Sequence, residues 1–256
     1  MPPSYVTALG VLLAMAIVIW GLATAKRNVG IVDIFWPLFF LAATLVHVIG
    51  TVQLAARGYL VLGLTAVWAA RLSVYLAVRA AGQPEDRRYQ AIRARNEPAF
   101  AWKSLYLVFG FQAVLAWIIS APLAGAVLAA PPLNVLDAIG AAIVAFGISF
   151  QAIADMQLMR FKADPLNRGR VLDAGLWKYS RHPNYFAECC VWWGFYVIAC
   201  AADAWWTLFS PVLMTILLLK ISGVALLEKD IAERRPAYRD YIRRTNAFIP
   251  APPRQF

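Results

Sequence analysis

The chain has 256 residues, of which 61% are hydrophobic and only 15% charged, and its mean hydropathy is +0.61. Those figures exclude an ordinary soluble domain and a disordered chain. A net charge of +10 raises nucleic acid as a partner, but the positions of the basic residues exclude it: they punctuate long apolar runs instead of forming one patch.

Seven runs of spanning length fall at 4–25, 29–50, 58–79, 102–125, 134–156, 185–202 and 204–227. The connection after the first run holds Lys26 and Arg27, and that after the second only Arg57. The third holds Arg79, Arg87, Arg88, Arg93, Arg95 and Lys103, and the fourth no cation. The fifth holds Arg160, Lys162, Arg168, Arg170, Lys178 and Arg181, and the sixth none. The tail carries Lys229, Arg234, Arg235, Arg239, Arg243, Arg244 and Arg254. Cation-rich and cation-poor connections alternate, and cations mark the cytoplasmic side. The pattern predicts an all-α integral membrane protein of seven transmembrane helices, with the N-terminus outside and the C-terminus cytoplasmic. An even number of helices destroys that alternation. Ten Trp and ten Tyr suit two membrane interfaces. The first run is too long, and too weakly basic at its start, for a cleaved signal peptide. The chain shows no internal repeat, and 1–256 is expected to form a single membrane domain.

Cys189, Cys190 and Cys200 all lie in the sixth run and read as small apolar residues. No disulfide pattern, zinc spacing or Gly-rich phosphate loop is present, so no metal is expected. His47, alone in the second run, is expected to be a packing residue.

Ionisable groups inside spanning helices are costly and mark candidate functional sites. Asp33 lies in helix two, Arg71 in helix three, Asp155 near the end of helix five, Glu188 at the opening of helix six, and Lys220 and Glu228 in helix seven. Arg71 is a candidate buried partner of Asp33. Gln151 and Asp155 share a helical face pointing toward the connection that holds Lys162 and Arg168. That connection ends in residues 175–188, Gly-Leu-Trp-Lys-Tyr-Ser-Arg-His-Pro-Asn-Tyr-Phe-Ala-Glu. Pro183 is tolerated in a first helical turn and disfavours helix at His182. Helix six is therefore expected to begin at Asn184 and Tyr185, with its free N–H groups and positive dipole end available to an anion. Glu188 falls on the face of Asn184. Residues 228–250 read as an amphipathic basic helix at the headgroup boundary, with Tyr238, Tyr241 and Arg244 also placed to close over a ligand.

The segments 151–162, 175–188 and 238–250 resemble the C-terminal domain of the steroid 5α-reductase family, and within it a bacterial branch of uncharacterised membrane proteins. A similar Arg-His-Pro-x-Tyr string occurs in isoprenylcysteine carboxyl methyltransferases and sterol reductases. The resemblance implies a bacterial inner-membrane protein that takes NADPH from the cytoplasmic side into the half 131–256. Helices one to four, about 1–130, then face the substrate. Carried over by position, the cofactor groups are Gln151 (an Asn in the family), Asp155, Lys162, Arg168, Tyr179, Arg181, His182, Asn184, Tyr185, Glu188, Tyr241 and Arg244. The family polarises its substrate's carbonyl with a Glu on helix two and a Tyr on helix three. Here those helices offer Asp33, Trp68, Arg71 and Tyr75, and none matches that pair.

The expected activity is reduction of a C=C bond conjugated to a carbonyl in a lipophilic, steroid-like or other lipid substrate. Hydride comes from the cofactor, and a hydrogen-bond donor, Tyr75 or a protonated Asp33, stabilises the developing enolate. Arg71 instead orients an ionised Asp33 in a variant of the scheme. The rival is an S-adenosylmethionine-dependent methyltransferase of the isoprenylcysteine type. The cations between helices five and six favour a phosphorylated cofactor over it. A transporter predicts inverted repeats with broken helices, which the sequence lacks.

Overall fold

The computed structural model describes residues 3–221, 223–228, 231–234 and 236–254, except the side chains of 226, 227, 232 and 234. Every regular element among them is helical. In chain order these are α1 (Pro3–Ala25), α2 (Ile31–Ile49), α3 (Ala56–Ala80), α4 (Arg87–Asn96), α5 (Phe100–Ile119) and α6 (Ala121–Val127). They continue as α7 (Val135–Ala163), α8 (Pro183–Cys200), α9 (Trp205–Ile221), α10 (Val224–Glu228), α11 (Ile231–Arg234) and α12 (Tyr238–Arg244). Five of them, α1, α2, α3, α5 and α7, are long and apolar enough to cross a bilayer. α8 has 18 residues and α9 is an apolar helix shorter than that.

Burial on α1 explains why its composition is so uniformly apolar. Tyr5, Ala8, Leu12, Ala16, Ile19 and Ala23 face inward at helical spacing. Val6, Leu13, Ile17, Val18 and Leu22 are exposed on the other side. A helix apolar on both faces belongs in lipid, and the protein is a multi-pass membrane protein.

The structure corrects several element boundaries. The fourth run does not continue unbroken to 125. It divides at Ser120 into α5 and α6, because Pro122 lacks the N–H that a continuing helix needs. α7 runs on to Ala163, so Arg160 and Lys162 form its last turn, where cations complement the helix dipole. The seventh run ends at Ile221 and resumes as α10. The tail, expected as one helix over 228–250, is instead the two short helices α11 and α12, with Pro236 between them. Thr245 itself is extended, and the chain bends again at 247–249. Lys229 and Arg235 of its basic series lie outside the described residues.

The chain divides into two compact units. The first comprises Met1–Asp137 with Ala199–Thr207, and the second Ala138–Ile198 with Leu208–Phe256. In the first, α2 packs against α1, α3, α5 and α6 around the fully buried Leu12, Phe39, Phe40, Trp68, Phe109 and Ile119. Phe40 meets Trp68 edge-on, with centroids 5.5 Å apart. The Tyr5 hydroxyl donates to the Trp117 carbonyl at 3.1 Å, and the Trp117 indole donates back to the Tyr5 carbonyl at 2.8 Å. The start of α1 is thereby fixed to α5.

In the second unit, α7 and α8 run antiparallel at close approach. Gly140 lies against Ile198 and Gly194, and Gly147 against Ala187 and Val191. A Cβ on Gly147 would stand 2.7 Å from Val191 Cγ2 and 2.8 Å from the Ala187 carbonyl oxygen. Glycines at this seam let the two backbones meet as they do in tightly packed membrane helices. The same register carries Gln151 to Glu188 and Asp155 to Asn184.

Candidate functional site

The seam between α7 and α8 ends in a buried polar cluster. The Gln151 amide Nε2 donates to Glu188 Oε2 at 3.0 Å, and the Trp192 indole, one turn further along α8, donates to Oε1 at 3.0 Å. Asn184 Nδ2 donates to Asp155 Oδ1 at 3.3 Å. Gln151, Asp155 and Glu188 are each at most 5% exposed. The Gln151 orientation follows from chemistry, since turning its oxygen to Glu188 would set two acceptors face to face. Its Oε1 is consequently buried with no hydrogen-bond partner. A buried acceptor left open in this way is uncommon in a folded protein.

Next to this cluster lies the 175–188 segment, most of whose polar groups fasten the tail. Gly175, at φ +59°, turns the chain so that the Leu176 N–H reaches the Gln157 side chain at 3.0 Å. The Trp177 indole donates to the Ala154 carbonyl at 3.0 Å. Ser180 Oγ donates to the Phe248 carbonyl at 2.7 Å, and the Ala251 N–H to the Tyr179 carbonyl at 3.0 Å. Arg181 is 8% exposed. Its Nη1 donates to the carbonyls of Ile242 and Thr245, and its Nε and Nη2 grip both oxygens of Glu228 at 2.7 and 2.8 Å. Tyr241 is turned into the fold rather than over a ligand: its hydroxyl donates to the Trp177 carbonyl and lies 3.2 Å from that of Ser180. Burial pushes that hydroxyl's pKa up.

His182 Nε2 meets Glu228 Oε1 at 2.9 Å, and its ring stacks parallel on Tyr185 with centroids 5.6 Å apart. The N–H groups of Tyr185 and Phe186 turn back to the His182 carbonyl, so the start of α8 spends part of the anion-binding capacity expected of it. Burial opposes ionisation of Glu228, but hydrogen bonds from His182 and Arg181 outweigh it and draw its pKa from 4.5 to about 2. Because the folded value is the lower one, this stabilisation is complete above pH ~4.5 and is lost as the pH falls toward ~2, a contribution on the order of 1–3 kcal/mol. Protease sensitivity of the tail is therefore expected to rise between those values. The Glu228→Gln protein should be sensitive already at neutral pH, with a flat profile.

The cations expected to hold phosphate, Lys162 and Arg168, face outward together with Arg170, and Tyr179 is 42% exposed. Arg244 is half exposed and reaches Asp173 at 3.3 Å. These groups are exposed, whereas Gln151, Asp155 and Glu188 are buried.

In the first unit, Asp33 opens α2 and takes its hydrogen bonds from α4. Arg88 Nη2 donates to Oδ2 at 2.8 Å and the Tyr89 hydroxyl to Oδ1 at 2.5 Å. Gln112 Nε2 donates to that hydroxyl at 3.1 Å. Both Asp33 oxygens thus act as acceptors, one toward a guanidinium, which is the geometry of a carboxylate and not of a protonated donor. Burial first, then the Asp33 charge, raises the Tyr89 pKa well above its ordinary value, which fits a structural strut. Arg71 lies one turn before Tyr75 on α3, and the guanidinium carbons of Arg71 and Arg79 each sit 5.8 Å from the Tyr75 ring centre. His47 packs as expected, fully buried and stacked on Tyr5, with Nδ1 3.2 Å from Ser4 Oγ. A cavity of about 280 Å³ at that end of α1 and α2 is lined by Ser4, Thr7, Val46, Ile49 and Gly50, none of them a candidate residue.

Residues 19–245 match a family described as "Protein of unknown function (DUF1295)". The chain belongs to that family. An uncharacterized protein of the fission yeast Schizosaccharomyces pombe, C594.04c, is 28% identical over 272 residues, covering 91% of this chain and 76% of the relative. No solved structure matches.

Sequence reasoning missed several contributors to these sites in the DUF1295 chain. Trp192 was within reach of it, since a residue four after Glu188 shares its face. The partners Arg88 and Tyr89 of Asp33, and the Arg181 and His182 contacts of Glu228, join segments distant in sequence, and no local spacing announces them.

Proposed function

We propose that the protein is a membrane-embedded, NADPH-dependent reductase of a C=C bond conjugated to a carbonyl in a lipophilic substrate. It spans the membrane seven times, with α8 and α9 as the sixth and seventh spans and the cofactor entering from the cytoplasmic side. One observation carries this reading: the open, buried carbonyl of Gln151, beside Asp155 and Glu188, lies in the same unit as the exposed cations Lys162, Arg168 and Arg170. The open Gln151 carbonyl suits the N–H groups of a carboxamide, and exposed cations suit phosphates. A phosphorylated nicotinamide dinucleotide has both ends, and when bound it supplies hydride.

The chain's own groups divide the remaining work. Gln151, Asp155, Asn184 and Glu188 hold the amide-bearing end, and Lys162, Arg168 and Arg170 hold phosphate. Arg181, His182 and Tyr241 act indirectly, by seating the tail. Tyr75 is the donor assigned to the substrate's carbonyl oxygen, with Arg71 beside it. Asp33 orients α4 through Arg88 and Tyr89. Orientation is supported by Arg57, the only cation in its connection, because it is wholly buried and gives that side of the membrane no exposed Lys or Arg in the short turns.

The acidic cluster also suits the sulfonium and ammonium groups of S-adenosylmethionine, which is the second reading, but that ligand carries no phosphate for Lys162, Arg168 and Arg170 to hold. Thermal unfolding of the detergent-purified protein separates the two. NADPH at a hundredfold excess over its Kd is expected to add about 2.7 kcal/mol of apparent stability and to raise the midpoint. A shift with S-adenosylmethionine and none with NADPH overturns the reductase reading.

A further inference from the structure

Three segments close the same end of the first unit: the 26–30 turn after α1, the 81–99 connection that holds α4, and the start of α5. They are bonded together. The Val29 N–H donates to Glu85 Oε1 at 2.7 Å, Arg88 and Tyr89 hold Asp33 near the start of α2, and the Trp20 indole donates to the Ala101 carbonyl at 2.8 Å. The acids of this end are spent inward. Glu85 accepts from Arg93 Nε and Nη2 at 3.0 and 2.9 Å, Asp86 caps α4 and pairs with Arg88 at 3.0 Å, and Glu97 lies 3.9 Å from Arg93. Lys26, Arg27, Arg87 and Arg95 are left exposed, with no acid partner among the described residues. Arg87, Ala91 and Arg95 follow one another along the exposed face of α4 at four-residue spacing, so a methyl group and not an acid separates its two cations.

Apolar surface of the spans borders these cations. Leu22 is exposed one turn before Lys26, and Trp102 and Tyr106, one turn apart on α5, are both exposed. The Trp20 and Trp102 rings pair with centroids 5.2 Å apart. A tryptophan pair between exposed apolar residues and unpaired cations is the composition of a lipid–water boundary. We propose that this collar is a docking surface for anionic phospholipid. Lys26, Arg27, Arg87 and Arg95 meet the headgroup phosphates, and the Trp20–Trp102 pair packs against the lipid's apolar part. Charge and position together select that occupant. A soluble anion answers the cations but not the aromatic edge, whereas a lipid of net negative charge answers both. Each cation at such a surface favours an anionic bilayer, and the attraction fades within a Debye length. Because α4 also holds Asp33 through Arg88 and Tyr89, lipid seated on its exposed face braces the start of α2.

The test is titration of the full chain, delipidated in a neutral detergent, with phosphatidylglycerol and phosphatidylcholine in parallel, the bound lipid being counted by native mass spectrometry. Wild type is expected to prefer phosphatidylglycerol by about tenfold or more, and the paired change Arg87→Gln with Arg95→Gln to remove most of that preference. Lys26→Gln with Arg27→Gln provides the same comparison if the α4 pair does not fold. Trp102→Ala should weaken both lipids alike and leave the preference standing. Raising the salt from ~0.1 to ~1 M shortens the Debye length from about 10 to about 3 Å, and should lower the preference of wild type more than that of the α4 variant. Glycerol phosphate, the soluble headgroup, is expected not to displace bound phosphatidylglycerol. The lipid surface is overturned by equal binding of the two lipids in wild type, by a preference unmoved by either cation pair, or by displacement with glycerol phosphate. It is overturned equally if Arg168→Gln with Lys178→Gln, in the second unit, costs as much of the preference as the α4 pair. None of these outcomes bears on the reductase reading.

Discussion

Gly147→Val is expected to lower the thermal midpoint of the purified protein by about 10 °C or more and to remove dinucleotide binding with it. The added atoms have nowhere to go. The Cβ alone would approach the Ala187 carbonyl oxygen to 2.8 Å and the Val191 nitrogen to 2.9 Å, and backbone cannot yield as a side chain does. Overpacking of this kind costs about 1–3 kcal/mol and more where backbone must move. To relieve it, α7 and α8 must separate or slide. Either movement breaks the Gln151–Glu188 and Asp155–Asn184 hydrogen bonds, which sit one and two turns further along the same seam. Gly63→Ala is the control, because a Cβ at that position meets nothing within 4 Å. There the better helix propensity of alanine should raise stability by about 0.5–1 kcal/mol. Loss of binding in Gly147→Val without loss of the fold would show that the register of the seam matters beyond its strength. An unchanged midpoint would refute the close approach itself.

The positions of α1, α2, α3 and α7 were legible because each is a long apolar run bounded by polar or glycine-containing turns, and in a bilayer length and composition nearly determine the element. The Gln151–Asp155 face and the place of Glu188 were legible for the same local reason, helical spacing. What was not legible depends on partners far along the chain. Arg181 reads in sequence as a cation at a helix start, free for an anion. In the structure its donors go to Ile242, Thr245 and Glu228, more than forty positions away in sequence. Asp33 reads in sequence as a candidate partner of Arg71, yet Arg88 and Tyr89, which bond to both its oxygens, come from α4, a polar segment that no hydropathy window marks. The tail was expected as one helix, but Pro236 stands between α11 and α12, and beyond Thr245 the carbonyls of Asn246, Ala247 and Phe248 and the Ala251 N–H bond to residues 179–181.

The second large effect is expected at the buried pair Arg57–Asp137, within the first unit. Arg57 is 0% exposed and Asp137 2%, and they form a bidentate pair at 2.7 and 2.8 Å. Arg57 also donates to the Pro131 and Pro132 carbonyls at 3.0 Å, while Asp137 Oδ2 accepts the Asn134 N–H at 2.8 Å. The start of α3 is thus tied to the turn that begins α7. Removing one member of such a pair leaves a buried charge without its counter-ion, at about 3–5 kcal/mol. The two single changes should differ. Asp137→Leu strands a guanidinium that cannot lose its proton, with only two carbonyls to meet it. Arg57→Met strands a carboxylate that still has the Asn134 N–H and can take up a proton. Asp137→Leu is therefore expected to be the more damaging, read as the lower midpoint or the poorer yield of monodisperse protein. The double change Arg57→Met with Asp137→Leu should recover part of the loss, because no charge remains buried. It should not recover all of it, since the Pro131 and Pro132 carbonyls and the Asn134 N–H each lose a partner at about 1–3 kcal/mol apiece if water does not reach them. A double variant no better than the worse single one would mean that the pair's hydrogen bonds to the 131–134 turn, rather than the neutralisation of charge, hold this end of the first unit together.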